Sequence, residues 1–247
     1  MAVVLYPDAK TFNERVADLL SRIEYRRIET DEDRERVFRL RYEAYRREEA
    51  IPANLASSFS DEYDELDNVW IFGVFLDGRL ISSIRMHRAD GVGSKFPSLT
   101  SFEDILTPEL SEKKVLIDPT RFVTDSKATR LLPGLPHLTL RLCWICSVHF
   151  NADHFLVAIR PEHQSFYRRT FRHQLICPAR NYPMLASQIC LMTVRPADVD
   201  EQVYKRYPFY QSTDAERKHL FDVQAANDQG AGELSWPNRS NSERAIS

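Results

Sequence analysis

The feature that most constrains the fold is a hairpin signal near residue 77. Asp77 and Gly78 separate two apolar runs, residues 69–75 and 80–87. An Asp-Gly pair tolerates the backbone angles of a tight primed turn, so the two runs are expected to pair as antiparallel strands. This hairpin fixes one strand pair, around which the other segments can be placed.

Helical and strand patterns alternate before the hairpin. Residues 11–23 carry their apolar side chains on one helical face, and residues 25–28 have the pattern of a short strand. Thr30 has the position of an N-cap for a second helix, which ends before Pro52. The acid-rich residues 51–68 show no clean period and are predicted to form a loop.

After the hairpin, helices and strands alternate in the predicted order, from a short helix to a last strand. The segments are a short helix near residues 102–106, a strand at 114–123, a helix at 136–150, a strand at 154–159, a helix at 161–173 and a last strand at 188–194.

The domain organisation follows from this order and from a change in composition. The sequence predicts an N-terminal amphipathic helix in residues 1–23 and one α/β domain in residues 24–210. From Gln211 onward the chain turns polar, so we expect residues 211–247 to be a flexible tail. Deleting the chain from Thr213 onward is expected to leave folding nearly intact.

Composition narrows the function classes. The hydrophobic share of 43% is enough for a core, and a net charge of −3 gives no general attraction to nucleic acid. No run approaches the eighteen apolar residues of a membrane helix, and the first residues lack the features of a signal peptide. Four cysteines are too few for a secreted disulfide scaffold. We therefore expect a cytoplasmic protein without an integral membrane segment or a nucleic-acid partner.

Four short motifs follow one another along the chain. They are Phe38-Arg39-Leu40-Arg41-Tyr42 with Tyr45, Asp61-Glu62-Tyr63-Asp64, Ser83-Ile84-Arg85-Met86, and Asp118-Pro119-Thr120-Arg121-Phe122. With the order of elements, they resemble the acetyltransferase superfamily over residues 24–196. Within it they resemble the N-acyl homoserine lactone (autoinducer) synthases and the N-acyl amino acid synthases. The Asp-Pro-Thr-Arg-Phe motif and residues 160–169, which end in His-x-x-Phe-Tyr-Arg-Arg, are more similar to the second group.

The resemblance implies the GNAT-like acyl-CoA N-acyltransferase fold, a mixed central sheet flanked by helices with a splayed pair of strands. It implies an enzyme that moves a medium or long fatty acyl group from acyl carrier protein, or from acyl-CoA, to the α-amine of an amino acid. The acyl-phosphopantetheine or acyl-CoA is then a co-substrate, and no cofactor is bound. Two alternatives remain open: an N-acyl homoserine lactone synthase that uses S-adenosylmethionine, and a non-catalytic module of the same fold.

Three arginines come from separate elements that the implied fold brings together around the acidic loop. A guanidinium binds a carboxylate through two parallel hydrogen bonds, so Arg41, Arg85 and Arg121 are candidates for holding a substrate carboxylate. We assign Arg121 and Arg85 to catalysis. In the alternative, the arginines form an internal salt-bridge cluster with Asp61, Asp64 and Asp67 that only orders the loop. The candidate substrate-binding residues are Arg41, Tyr45, Asp61, Asp64, Phe122, Leu142 and His163.

Asp118 is the third candidate catalytic residue. A carboxylate near the thioester could hold a water molecule that removes a proton from the attacking amine. Asp118 lies three residues before Arg121, so their side chains point to opposite faces of a strand unless a bulge intervenes. A plain ion-pair partner is the alternative. Cys143 and Cys146 share a helical face without a second cysteine pair, which predicts core packing rather than a metal site.

The turn at residues 130–135 bears on the identity of the acyl donor. Acetyltransferases bind the coenzyme A pyrophosphate with an Arg/Gln-x-x-Gly-x-Gly/Ala turn, but residues 130–135 have Pro133 in the first glycine position. This departure favours acyl carrier protein as the donor. The candidate carrier or pantetheine-binding residues are Lys127, Arg130, Gly134, Arg168 and Arg169, with Arg172 in the same basic patch. A solvated basic face is the alternative.

Overall fold

The computed structural model describes residues 10–182 and 188–222, and within them seven strands form one mixed sheet. In chain order the strands are β1 (Ile23–Arg27), β2 (Val69–Leu76), β3 (Arg79–Ala89), β4 (Leu116–Thr124), β5 (His154–Ile159), β6 (Gln174–Asn181) and β7 (Gln188–Val194). They lie side by side in the order β1-β2-β3-β4-β5-β7-β6. Every neighbouring pair is antiparallel except β4 and β5, which run parallel at the centre of the sheet.

Helices cover both faces of this sheet. They are α1 (Phe12–Leu20), α2 (Asp31–Arg47), α3 (Leu99–Ser111), α4 (Ser126–Leu131), α5 (Leu135–His149), α6 (Gln164–Phe171), α7 (Asp200–Arg206) and α8 (Asp214–Phe221). All of them except α2 and α3 bury side chains in one large core on the first face, called the α5 face below. Helices α2 and α3 pack on the opposite, α2 face. The predicted mixed sheet flanked by helices is confirmed.

The hairpin forms as the sequence predicts. β2 and β3 pair in antiparallel register, with Leu76 opposite Arg79. Asp77 and Gly78 between them have φ angles of 50° and 78°. Two successive positive φ angles are those of a primed turn, whose twist matches the twist of the flanking strands.

Helix α2 begins and ends where local chemistry favours it. The Thr30 side chain accepts a hydrogen bond from the Asp33 backbone N–H at 3.2 Å, which confirms the predicted N-cap. Acids fill the first turn, and Arg46 and Arg47 fill the last, as the helix dipole favours. The inner side of α2 carries Arg41, which is fully buried over the sheet.

The central strands β4 and β5 separate soon after they begin. Their pairing is limited to Leu116 with His154 and Ile117 with Phe155. Beyond these pairs, β4 continues beside β3, and β5 continues beside β7. A gap therefore opens in the middle of the sheet, as expected for a splayed pair of strands.

Strand β6 is absent from the sequence prediction. It lies at the edge of the sheet, contains Pro178, and pairs with β7 through two register shifts. An edge strand tolerates proline because one side of its backbone needs no partner. Its first residues are exposed, so the apolar alternation on which the strand predictions depended is missing.

The predicted flexible tail is wrong for residues 211–222. The last helix of the described chain, α8, packs against α5, and its Leu220 and Phe221 are buried. Helix α1 also joins this core through Val16, so both flanking helices belong to the same hydrophobic unit. Residues 223–247, the rest of the predicted tail, lie outside the described residues.

A buried arginine holds this C-terminal segment. The Nη2 atom of Arg141, on α5, donates to Glu216 at 2.9 Å and to the backbone carbonyl of Gln211 at 2.7 Å. Its Nε donates to the carbonyl of Phe209 at 2.6 Å. Because this guanidinium is fully buried, the carboxylate of Glu216 is its necessary counter-charge.

Within the described residues, no helix is both long enough and apolar enough to cross a membrane.

The bonds of Arg141 to the C-terminal segment, called the Arg141 anchor below, predict that α8 contributes to the stability of the fold. Replacing Glu216→Ala removes a carboxylate from a buried charge, which is expected to lower the free energy of unfolding by about 3 kcal/mol. Asp214→Ala, on the same helix, removes only exposed pairs with Arg217 and Lys218 and should cost less than about 1 kcal/mol. Chemical denaturation of both variants measures the difference. Equal stability of the two variants would contradict the anchor.

Candidate active site

A bulge in β4 decides which side chains reach the α2 face. Arg85 of β3 pairs with Thr120 and Ser83 pairs with Val123, so two residues of β4 lie opposite Ile84 alone. Arg121, the first of those two, has a φ angle of 54°. This left-handed conformation is uncommon for a residue with a side chain.

The bulge interrupts the alternation of side chains along β4. Leu116 packs with the cluster of the α2 face and Ile117 with the core of the α5 face, as a regular strand requires. After the bulge, Phe122 packs against the α5 core. Arg121 instead turns to the α2 face, where it binds Asp61. Asp118 also bonds a residue of the α2 face, so the bulge brings both onto one side of the sheet.

The three arginines and two of the loop aspartates form one buried network. Arg41 Nη1 lies 2.8 Å from Asp64 Oδ1, and Arg85 Nη1 lies at the same distance from that atom. Arg85 also binds both carboxylate oxygens of Asp61. Arg121 binds Asp61 through Nε, at 3.0 Å, and through Nη2. The predicted internal salt-bridge cluster is therefore present.

The acidic loop is shaped to present these two carboxylates. Residues 62–65 form one short 3-10 turn, with Asp61 as its N-cap. The Asp61 side chain accepts from the backbone N–H of Tyr63 at 3.0 Å, and Asp64 accepts from that of Asp61 at 2.9 Å. Asp67, which the sequence also suggested for this cluster, is exposed and lies outside it.

The network carries an excess of positive charge. Burial alone would raise the pKa of Asp61, but hydrogen bonds and charge from Arg85 and Arg121 outweigh it and bring the pKa to about 2. The pKa of Asp64 is lowered too, because Arg41 and Arg85 outweigh its burial. Two carboxylates therefore face three guanidinium groups, which leaves one positive charge without a counter-charge in the network.

Arg121 and Arg85 both border an open space, and Arg121 is the more exposed of the two. Its guanidinium lies 4.6 Å from the ring centre of Phe59 and 5.5 Å from that of Tyr45. Its remaining Nη1 atom approaches the Tyr45 hydroxyl at 3.4 Å, a long and weak hydrogen bond. That atom is available to a ligand.

A cavity of about 580 Å³ occupies the gap between β4 and β5 and passes from one face of the sheet to the other. Val157 and Ala158 both line it, although they point to opposite faces. The two halves differ in chemistry. The α5 half is mainly apolar, with Ile84, Phe122, Pro136, Leu140, Val157, Phe166 and Tyr167, and has His163 at its edge. The α2 half is polar, with Tyr45, Glu48, Glu49, Arg85, Thr120, Arg121 and Tyr182.

Asp118 lies behind the cavity wall rather than on it. It is 1% exposed, and its two oxygens accept hydrogen bonds from the backbone N–H and the hydroxyl of Ser98, at 3.0 and 2.6 Å. Burial raises its pKa to about 6, although the two bonds from Ser98 and the charge of Arg85 oppose the rise. The adjacent Pro119 and Thr120 do line the cavity.

Several predicted site residues occupy other places. Arg41 is fully buried and lies outside the cavity lining. Leu142 is buried in the core, and Leu140, which shares the opening turns of α5 with Pro136, lines the cavity instead. A side chain at Gly134 would approach Val16 to 2.8 Å, so close packing of α1 explains this glycine.

The predicted basic patch is only partly assembled. Lys127 and Arg130 are exposed on α4, and Arg168 bonds Gln164 within α6. Arg169 instead joins a separate groove of about 380 Å³ between α6 and α7, called the basic groove below. Its cationic residues are Arg169, Arg172, Lys205 and Arg206. Among the described residues, none of these four forms an ion pair.

The sequence prediction missed Tyr182 and the two cations of α7. Tyr182 directly follows β6, the strand that the pattern did not reveal. Lys205 and Arg206 follow the strand that was predicted to be the last. The amphipathic spacing of α7, with Val203 buried and basic residues in its last turn, is the signal that could have located them.

Within the described residues, no three His, Cys, Asp or Glu side chains are grouped in a way that could hold a metal ion.

The fold is similar to that of several solved acyltransferase structures. The structure of FeeM, an N-acyl amino acid synthase from uncultured soil microbes, has a TM-score of 0.62 at 17% identity, covering 73% of this chain and 94% of its own. The CoA-dependent acyl-homoserine lactone synthase BjaI has a TM-score of 0.51 at 10% identity, over 70% of this chain and 81% of its own. The CoA-dependent acyl-homoserine lactone synthase MesI has a TM-score of 0.50 at 18% identity, over 78% of this chain and 97% of its own. The chain therefore has the N-acyltransferase fold.

A family model that matches the sequence identifies the protein family of the chain. The family model of N-acyl amino acid synthase FeeM matches residues 36–195. The chain therefore belongs to the FeeM N-acyl amino acid synthase family and is an acyltransferase. This confirms the resemblance that the four motifs indicated. No curated protein sequence matches the chain.

The burial of Asp118 makes stability depend on pH in a defined direction. Its pKa is raised to about 6 in the folded protein, whereas an unfolded chain has a value near 4. The folded state therefore binds the proton more tightly, and the stability that Asp118 contributes is full below about pH 4 and is lost as the pH rises through about 6.

Asp118→Asn should remove this loss. Relative to wild type, its free energy of unfolding is expected to increase by roughly 2–3 kcal/mol between pH 4 and pH 7. Other titrating groups are common to both proteins and cancel in the comparison. Urea denaturation across this range measures the difference, and a difference that is constant with pH would show that Asp118 is not a buried titrating group.

Proposed function

We propose that this enzyme transfers a medium or long fatty acyl group to the α-amine of an amino acid. The observation that carries the proposal is the cavity, whose apolar half and arginine-bearing half meet at the gap between β4 and β5. An acyl chain and a zwitterionic amino acid need these two environments, side by side. Membership of the FeeM family supports the same reaction.

The donor would occupy the α5 half of the cavity. Leu140, Val157 and Phe166 offer apolar surface to an acyl chain there. In the gap, the facing edges of β4 and β5 have no strand partner, so their backbone groups are available to the thioester. A backbone N–H at this edge would stabilise the oxyanion that forms when the amine attacks.

The acceptor would enter from the α2 half. Its carboxylate would be drawn to the excess positive charge of the network and bound by the open side of Arg121. The amine would then lie near the thioester, lose a proton, and attack the carbonyl carbon while the thiol leaves. Asp118 is the proposed proton acceptor. Because it lies behind the cavity wall, it would act through a bridging group or water.

The donor is proposed to be an acyl carrier protein. In the turn that would bind the coenzyme A pyrophosphate, the N–H of Leu135 already donates to Leu132 at 2.9 Å, and Pro136 has none to offer. The Val16 side chain packs directly against Gly134, on the side where a Cβ atom would lie. The basic groove begins at Arg169 and Thr170, one turn of α6 beyond the cavity residue Phe166, and suits an acidic protein surface. BjaI and MesI, with the same fold, are CoA-dependent, so the fold alone leaves the donor open.

Mass spectrometry of lipid extracts from cells that express the chain tests the reaction. New N-acyl amino acids are expected. Acyl homoserine lactones would instead indicate the S-adenosylmethionine-dependent reaction, and the absence of any new acylated amine would contradict the proposal.

The activity should depend on the planar geometry of the Arg121 guanidinium more than on its charge. Arg121→Lys keeps the positive charge but loses the planar pair of donors, so we expect kcat/KM to fall about ten- to a hundredfold while the protein still folds. Arg88→Lys, on β3 and paired with exposed Asp90, is the matched control and should leave kcat/KM near wild type. Steady-state kinetics and thermal melting of both variants distinguish the roles. Normal turnover by Arg121→Lys would exclude Arg121 from substrate binding.

The basic groove should matter only for a protein donor. The double variant Lys205→Glu/Arg206→Glu reverses two groove charges, and we expect at least a tenfold lower rate with acyl carrier protein at low salt. The rate with acyl-CoA of the same chain length should stay within about twofold. The double variant Lys95→Glu/Lys113→Glu, at two exposed positions outside the groove, makes the same change in net charge and is the control. An equal loss with both donors would contradict carrier docking at this groove.

A further inference from the structure

Tyr182 is a cavity residue that neither the sequence motifs nor the arginine network accounts for. It directly follows β6 and lines the α2 half of the cavity. Its ring packs against the apolar cluster beneath α3, so it is half-buried rather than free in solvent. Packing therefore holds the ring of Tyr182 in place, with its hydroxyl near the cavity.

The backbone that carries Tyr182 is tied to α3. Arg180 binds both carboxylate oxygens of Asp104, at 2.6 and 2.9 Å, and donates to the Ser101 carbonyl at 3.3 Å. Ser101 in turn donates to the carbonyl of Asn181 at 3.4 Å. The residue just before α3, Ser98, holds Asp118 of β4. The end of β6 and the central strand are thus positioned by the same helix.

The hydroxyl of Tyr182 lies in a strongly charged neighbourhood. The groups whose charge reaches it are Asp118, Arg121 and Arg85. Burial, followed by the nearby Asp118 charge, raises the pKa of Tyr182, so the hydroxyl keeps its proton and is a hydrogen-bond donor at neutral pH. Among the residues that the structure describes, no group forms a hydrogen bond with this hydroxyl.

We propose that Tyr182 is a substrate-binding residue, whose hydroxyl donates a hydrogen bond to the carboxylate of the acceptor amino acid while Arg121 binds the same group. This inference rests on the proposed function. A carboxylate between a phenol and a guanidinium accepts from both, and a cavity-lining hydroxyl without a protein partner is free to donate to a ligand. An amine without a carboxylate leaves both donors unsatisfied. Tyr182 therefore helps to select amino acids over simple amines.

The test compares Tyr182→Phe with Tyr204→Phe. Both changes remove one hydroxyl, but that of Tyr204 bonds Trp144 on the α5 face, away from the cavity. Each variant is assayed with three pairs of acceptors, in which the second member lacks the carboxylate: phenylalanine and phenethylamine, leucine and 3-methylbutylamine, lysine and cadaverine. The pair whose amino acid the wild type acylates fastest is used for kinetics.

For Tyr182→Phe we expect the KM of the amino acid to rise about tenfold or more, with kcat nearly unchanged, since a hydrogen bond to a charged group is lost. The activity with the matching amine should equal that of wild type, and Tyr204→Phe should change neither. Equal losses with amino acid and amine, or no change in KM for the amino acid, would overturn the role of Tyr182. A wild type that acylates none of the amino acids would instead overturn the proposed function.

Discussion

The site depends on a single backbone irregularity in the central strand. A regular β4 would send Asp118 and Arg121 to opposite faces of the sheet, because successive side chains alternate. With φ of 54° at Arg121, one extra residue is accommodated opposite Ile84 and the alternation is reset. Arg121 then reaches both Asp61 and the cavity. Strained backbone of this kind persists where its surroundings determine it, and here the surrounding arginines and aspartates do so.

The arginine network connects this irregularity to chemistry. Burying guanidinium groups costs free energy unless carboxylates and further hydrogen bonds compensate. Asp61 and Asp64 provide that compensation, and the turn between them holds their carboxylates with its own backbone N–H groups. Because two carboxylates serve three arginines, the network itself has a net positive charge. A network with a net positive charge is suited to binding a carboxylate substrate. The same network orders the acidic loop, so the two roles considered from the sequence are compatible.

The fold could be predicted from the sequence wherever local chemistry determines conformation. Asp77-Gly78 fixed the hairpin and Thr30 fixed the start of α2, since a primed turn and an N-cap depend on a few adjacent residues. The family motifs located the arginines and the acidic loop, because they lie in consecutive short segments. Strand β6 was missed because an edge strand with a proline and bulges has no apolar alternation. Helix α8 was missed because its burial depends on Arg141, seventy-five positions earlier in the chain than Glu216.

The position of each site residue was harder to predict than its identity. Whether Asp118 and Arg121 share a face depends on the bulge, and whether Leu140 or Leu142 meets the cavity depends on the rotation of α5. Gly134 matched a phosphate-binding pattern, but contact with Val16 explains it. Such facts arise from tertiary packing, which no local pattern contains.

A crystal structure of the enzyme with an N-acyl amino acid product tests the central claim most directly, because the product spans both halves of the cavity. The amide is predicted to lie in the gap between β4 and β5, with the carboxylate at Arg121 and the acyl chain along Leu140 and Phe166. A product whose chain lies on the α2 face, or whose carboxylate lies away from Arg121, would contradict this account.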